Sequence, residues 1–86
     1  MTVINPSDAI ETEQVIKAIS EINGPCYVRL GRMAVANVND EATYKFQLGK
    51  GVTLAEGTDA TIIATGIMVE AALEAKNTLA EEGINV

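Results

Sequence analysis

TVINPSDAIETEQVIKAISEINGPCYVRL, residues 2–30, decides how this chain folds. Thr2 to Asn5 is a short run suited to a strand, closed by Pro6. Ser7 and Asp8 then place side-chain oxygens where the free amides of a helix begin, and Glu11 stands three residues after Asp8, the spacing of a capping box. Val15, Ile16, Ile19 and Ile22 recur at helical spacing, while Glu11, Gln14, Lys17 and Glu21 fall elsewhere around the wheel, so a helix is predicted to about Ile22. Asn23-Gly24-Pro25 ends it, because glycine accepts a left-handed turn and proline cannot continue a helix. From Cys26 to Leu30, Cys26, Val28 and Leu30 alternate with Tyr27 and Arg29, the two-residue period of a strand. Strand, helix and strand in succession imply parallel pairing, since adjacent parallel strands can be joined only by a crossover.

Beyond this unit, from Gly31 to about Tyr44, periodicity is lost, and Asn37, Asn39, Asp40 and Glu41 make the stretch polar, as in a flexible linker. Phe46 to Leu48 and Val52 to Ala55 read as two short strands around the turn Gly49-Lys50-Gly51. After the turn Glu56 to Asp59, Ala60 to Ala64 is β-branched and apolar, the pattern of a strand covered on both faces. Gly66 lets the chain turn into a helix from about Ile67 to Glu81, with Val69, Ala72, Leu73 and Leu79 as its inward stripe and Gly83 as its stop. Ile84-Asn85-Val86 reads as the beginning of a further buried strand. The fold class predicted is α/β: two strand-helix-strand units with a mainly parallel sheet, straddling a junction between two domains.

Composition excludes several classes of function. Six Lys and Arg against twelve Asp and Glu give a formal charge of −6, which disfavours nucleic acid and anionic membrane surfaces as partners. No apolar run is long enough to span a bilayer and the first residues lack the features of a secretion signal, so a cytoplasmic location is expected. With 86 residues the chain can bury only about 60% of its unfolded surface, and with no Trp its core must be aliphatic. The single Cys26 cannot form an internal disulfide; it reads as a small buried side chain or as a reactive thiol.

The absence of histidine removes Ser-His and Cys-His nucleophile pairs and every imidazole metal site. Glu70 with Glu74, and Glu81 with Glu82, read as solvated helix faces rather than as acid/base pairs. Gly49-Lys50-Gly51 lacks the spacing of a nucleotide-binding loop. Thr65-Gly66, at a helix start, could offer free amides to an anion. Arg29 and Arg32 are the only arginines. Arg32 lies just past the carboxyl end of the Cys26 to Leu30 strand, where open parallel α/β sheets bind ligands, and Gly31 beside it permits close approach. A guanidinium there suits a phosphate or carboxylate; the alternative is a salt bridge to an Asp or Glu of the same chain.

Gly24 to Arg32, GPCYVRLGR, followed after the linker by FQLGKGVTLAEGTDATIIATGIMVEAALEAKNTLAEEGINV, resembles the transketolase family of thiamine diphosphate enzymes, most of all the C-terminal subunit of split transketolases. Asn5-Pro6-Ser7-Asp8 also resembles the family's Pro-x-Asp start to the last helix of the pyrimidine-binding domain. The resemblance implies three parts: residues 1–32 as the end of the pyrimidine-binding domain, 33–45 as a linker, and 46–86 as the start of the C-terminal domain, all truncated from a larger three-layer α/β enzyme.

Such enzymes move a two-carbon ketol unit between sugar phosphates, and the resemblance implies thiamine diphosphate and a divalent metal, magnesium, in the parent enzyme. The glutamate, histidines and diphosphate site of the family have no counterpart in these residues, so no cofactor and no activity are expected of the chain alone. By position, Arg32 matches the arginine that contacts the substrate phosphate, with Arg29 as a second candidate for the same neighbourhood. The implied partners are an N-terminal transketolase subunit or domain and a second copy. Deoxyxylulose-phosphate synthases and the beta subunits of 2-oxoacid dehydrogenases share similar phrases and remain alternatives, as does a non-catalytic module that self-associates through exposed sheet edges.

Overall fold

In the computed structural model, which describes residues 1–86, the elements follow in the order β1 (Thr2–Ile4), α1 (Ala9–Ile19), β2 (Cys26–Val28) and α2 (Met68–Glu81). β1 and β2 pair in parallel, with Thr2, Val3 and Ile4 opposite Cys26, Tyr27 and Val28. The Thr2 N–H donates to the Pro25 carbonyl at 3.2 Å and the Arg29 N–H to the Ile4 carbonyl at 2.9 Å, so the ladder reaches one residue past each end of β2. α1 is the crossover that parallel pairing requires. The pleat sorts the side chains as alternation predicts: Tyr27 is exposed while Cys26 and Val28 are half-buried, and Cys26 is a free thiol.

The capping box forms. Asp8, in extended backbone, accepts the Glu11 N–H at 2.8 Å on Oδ1. The Glu11 carboxylate reaches one residue further back than the usual box and accepts from the Ser7 N–H, also at 2.8 Å, and from the Ser7 hydroxyl. At its other end α1 stops at Ile19 rather than Ile22. The Glu21 and Ile22 N–H groups bond to Ala18 and Ile19, three residues back, which tightens the last turn out of the α geometry. α2 closes with the Gly83 N–H on the Ala80 carbonyl and the Ile84 N–H on the Leu79 carbonyl, a Schellman arrangement.

The second unit departs from expectation in its strands. Residues 46–48, 52–55 and 60–64 form none, and only α2 of that unit is present. A strand is defined by its ladder, and these segments bond to no neighbouring strand. The second and third of them flank an open groove of about 670 Å³ lined by residues such as Val52, Leu54, Ala60, Ile62, Val69 and Leu73. Ile63 is 91% and Ile62 46% exposed, so the stretch read as covered on both faces is covered on neither. A turn does form here, but earlier than Gly49-Lys50-Gly51: it spans residues 47–50 around Leu48 and Gly49, with the Lys50 N–H on the Gln47 carbonyl at 3.2 Å. The chain end packs back on the Glu56 to Asp59 turn: the Thr58 and Asp59 N–H groups both donate to the Asn85 carbonyl, and Val86 is buried.

Burial is correspondingly thin. Ile4, Val15, Val69 and Val86 are the buried hydrophobic residues, and Val15 alone is fully enclosed. Ile16, read as part of the inward stripe, is exposed: with 3.6 residues per turn it lies about 100° from Val15, on a side of α1 that nothing covers. Leu30 is likewise exposed. The radius of gyration is 14.3 Å with extents of 47 × 26 × 25 Å, against roughly 12 Å for a compact domain of this length.

Candidate functional site

Three turns meet at the carboxyl ends of β1 and β2: residues 5–8 leading into α1, residues 30–33 leaving β2, and residues 65–67 leading into α2. Asn5 joins the first to the third. Its carbonyl accepts the Gly66 N–H at 3.1 Å and its side-chain amide donates to Thr65 Oγ1 at 3.3 Å. Gly66 is buried with φ +58, and a Cβ there would stand 2.5 Å from Asn5 Nδ2. The second turn meets the third at Gly31, where an added Cβ would touch Ile67 Cγ2 at 3.5 Å. Between these turns lies a cleft of about 130 Å³ whose lining includes Ser7, Asp8, Leu30, Gly31, Met33 and Ile67.

Arg29 ends the ladder through its backbone, and Arg32 sits in the turn between the cleft-lining residues Gly31 and Met33. Both are exposed, and neither side chain makes a hydrogen bond or an ion pair. The one ion pair of the chain joins Lys17 to Glu13 at 2.5 Å along α1. The salt-bridge reading of Arg32 therefore has no counterpart within these residues. Three of the amides that the anion reading of Thr65-Gly66 would use are already engaged. The Gly66 N–H is spent on Asn5, the Met68 N–H on the Thr65 carbonyl and the Val69 N–H on the Gly66 carbonyl.

The best-built polar cluster of the molecule lies beside the cleft and holds the segment that leaves Arg32. Asp8 is only 3% exposed. While Oδ1 caps α1, Oδ2 accepts the Val38 N–H at 2.9 Å, the Asn39 N–H at 2.8 Å and Asn39 Nδ2 at 3.0 Å. Burial opposes the charge, but the N–H groups of Glu11, Asn39 and Val38 and the Asn39 amide outweigh it and hold the Asp8 carboxyl below its ordinary range. Glu11 accepts the Tyr44 hydroxyl at 2.9 Å. Burial, that hydrogen bond and the charges of Glu11 and Asp8 together push the Tyr44 phenol well above its ordinary value. Gln14 donates to the Tyr44 carbonyl at 2.8 Å and accepts the Phe46 N–H at 2.7 Å. Glu70 of α2 accepts the Ala36 N–H at 3.2 Å.

The polar stretch expected as a flexible linker is thus strapped to both helices. The roles of Asn39, Tyr44, Gln14 and Glu70 were not legible in the sequence. One signal did exist: Asp8, Glu11 and Gln14 recur every three residues, and a capping carboxylate has a second oxygen that the cap leaves free.

No group of three His, Cys, Asp or Glu side chains stands together as metal ligands. The one buried carboxylate has both oxygens occupied by N–H donors. The residues present therefore do not fit the metal-bound diphosphate that the family resemblance implies for the larger enzyme.

Residues 49–86 match the family model described as the transketolase C-terminal domain. The chain is 43% identical over 84 residues to an apulose-4-phosphate transketolase subunit of Phocaeicola vulgatus, covering 98% of this chain and 27% of that protein. It is 41% identical over 85 residues to the 1-deoxy-D-xylulose-5-phosphate synthase 1 of Geobacter sulfurreducens, covering 98% of this chain and 13% of that enzyme. Among solved structures, a split gene transketolase, described as an inactive beta4 tetramer, superposes with a TM-score of 0.92 at 46% identity over 98% of this chain and 28% of that one. The chain spans about a quarter of the length of the transketolase subunits it matches. Identity of this order along nearly the whole chain, with the same fold, shows that the chain belongs to the transketolase family.

Proposed function

We propose that these residues are part of a transketolase-type subunit that transfers a two-carbon ketol unit between sugar phosphates, with Arg32 reading the substrate phosphate. The observation that carries the reading is Arg32 itself: a guanidinium without an internal partner, at the carboxyl ends of two parallel strands, in a chain of net charge −6. Arg29, at the end of the same strand, is the second candidate. Residues 1–32, 33–45 and 46–86 then correspond to the end of a pyrimidine-binding domain, its strap, and the start of a C-terminal domain. Thiamine diphosphate supplies the carbanion chemistry and would be held, with its magnesium, outside these residues, by an N-terminal subunit or domain. The 86 residues alone are proposed to be inactive, and the enzyme to act in the cytoplasm as an oligomer. The apulose-4-phosphate transketolase is a relative whose name carries a sugar phosphate, which supports a phosphate as the group read.

The test is Arg32→Ala in the full-length subunit assembled with its partner. KM for a phosphorylated aldose acceptor should rise at least about tenfold while KM for the same aldose without phosphate stays within about twofold. An equal effect on both acceptors would refute the assignment. A deoxyxylulose-phosphate synthase is the alternative chemistry, supported by the 41% identical relative; it predicts no ketol transfer by the unsubstituted enzyme in the same assay.

A second reading rests on exposed apolar surface. Val3 is 65% and Tyr27 51% exposed on one face of the sheet, and both sheet edges are unpaired, so the 86-residue chain is proposed to self-associate. A monomer by light scattering at high concentration would rule this out.

A further inference from the structure

We infer that Asp8 is a positioning residue for Arg32: by holding the main chain at Val38 and Asn39, it fixes the stretch through which the arginine is presented to its ligand. This rests on the reading of Arg32 as the phosphate contact. With no ion pair or hydrogen bond of its own, the Arg32 guanidinium is placed only by its backbone. That backbone is held on one side by the β2 ladder, through the Arg29 N–H on Ile4, and on the other by the strap. Three side chains grip the near part of the strap, and of these Ser7 makes a single contact, its hydroxyl accepting from Asn39 Nδ2 at 3.2 Å. Glu70 takes the Ala36 N–H at 3.2 Å in an exposed position, where water competes for the bond. Asp8 takes three donors from Val38 and Asn39 at 2.8 to 3.0 Å in a buried one. Asp8 is the firmer anchor, and it also lines the cleft between Gly31 and Met33. If the anchor is removed, residues 33–39 must be ordered each time an anionic ligand is bound, and that cost appears as weaker binding of the charged group alone.

The geometry supplies a substitution that separates this role from helix capping. Asparagine caps a helix about as well as aspartate, so Asp8→Asn keeps an oxygen for the Glu11 N–H. Its amide NH₂, however, faces the Val38 and Asn39 donors, and a donor cannot bind a donor. Asp8→Ser also retains a cap but is too short to reach the strap.

In the full-length subunit assembled with its partner, either substitution should raise KM for a phosphorylated aldose about fivefold to tenfold. Turnover, and KM for the unphosphorylated aldose, should stay within about twofold. Added to Arg32→Ala, Asp8→Asn should cause no further rise, because the residue it positions is gone. An equal loss on both acceptors, or a full additional rise on top of Arg32→Ala, would overturn the inference. Should Arg32→Ala itself fail to discriminate the acceptors, the phosphate reading falls and the positioning inference with it. Amide exchange at Val38 and Asn39 gives the mechanical half an independent check. Asp8→Asn should accelerate both by at least about tenfold while amides in the middle of α1 keep their rates, and unchanged exchange would overturn the inference whatever the kinetics show.

Discussion

Replacing Gly66 with alanine probes the joint between the two units. Two separable costs follow from the structure. At φ +58 a side chain sits in the left-handed region, which disfavours alanine by about 1 kcal/mol. The new Cβ would also lie 2.5 to 2.8 Å from three atoms of the Asn5 side chain, so Asn5 must move and surrender its bond to Thr65. Overpacking of this kind costs a further ~1–3 kcal/mol, giving a total of about 2–4 kcal/mol. Urea unfolding followed by circular dichroism measures it. Gly49→Ala is the control, since Gly49 has φ +80 but nothing within 4 Å of an added Cβ, and it should show only the first cost. In an Asn5→Ala background the cost of Gly66→Ala should fall to about 1 kcal/mol, because the obstructing side chain is absent. Equal losses for Gly66→Ala and Gly49→Ala, or no relief in the Asn5→Ala background, would refute the reasoning.

Asp8 makes stability depend on acid. Its folded carboxyl is held below the ordinary 3.8, so its contribution is present above that value and is lost as pH falls through the depressed one. Urea midpoints should therefore drop from about pH 5 downward, and more steeply than in Asp8→Asn; parallel curves would contradict this. Gln14→Ala removes both bonds to the strap at Tyr44 and Phe46 and should cost about 1–2 kcal/mol, with faster exchange of the Phe46 amide as the local readout. Lys17→Ala should leave the urea midpoint unchanged, because its pair with Glu13 is solvent-exposed. In the same variant the Glu13 carboxyl, now lowered by the hydrogen bond and charge of Lys17, should return by NMR titration toward its ordinary value.

What could be read from the sequence was whatever is encoded locally. The cap at Asp8 and Glu11, the stop at Gly83, the alternation of Cys26 to Val28 and the parallel pairing all rest on spacings within one element or one crossover. The family phrases were equally legible, since they are contiguous. The strands at 46–48, 52–55 and 60–64 were not, because an apolar β-branched run states what a segment would pair with and not whether a partner stands beside it. Ile62 and Ile63 keep strand composition while facing an open groove. The strap was missed for a related reason. Asn39 and Tyr44 read as loop residues, and their bonds to Asp8 and Glu11 cross about thirty positions of sequence. The place of Arg32 after β2 was legible, but its lack of a partner emerged only in three dimensions.

α1 grips the strap largely by main-chain atoms: the N–H groups of Val38, Asn39 and Phe46 and the carbonyl of Tyr44. The two sides of this contact therefore have unequal freedom to change. Val38 and Phe46 can be exchanged for other residues without touching those bonds, as long as the number of residues from 38 to 46 is preserved. Asp8 and Gln14 have no such latitude, since each supplies its bonds through one particular side chain. Across related chains this joint should vary freely at strap positions other than Asn39 and Tyr44, whose side chains also bond to α1 and its cap, sparingly in the strap's length, and least of all at the two positions of α1 and its cap that read the main chain.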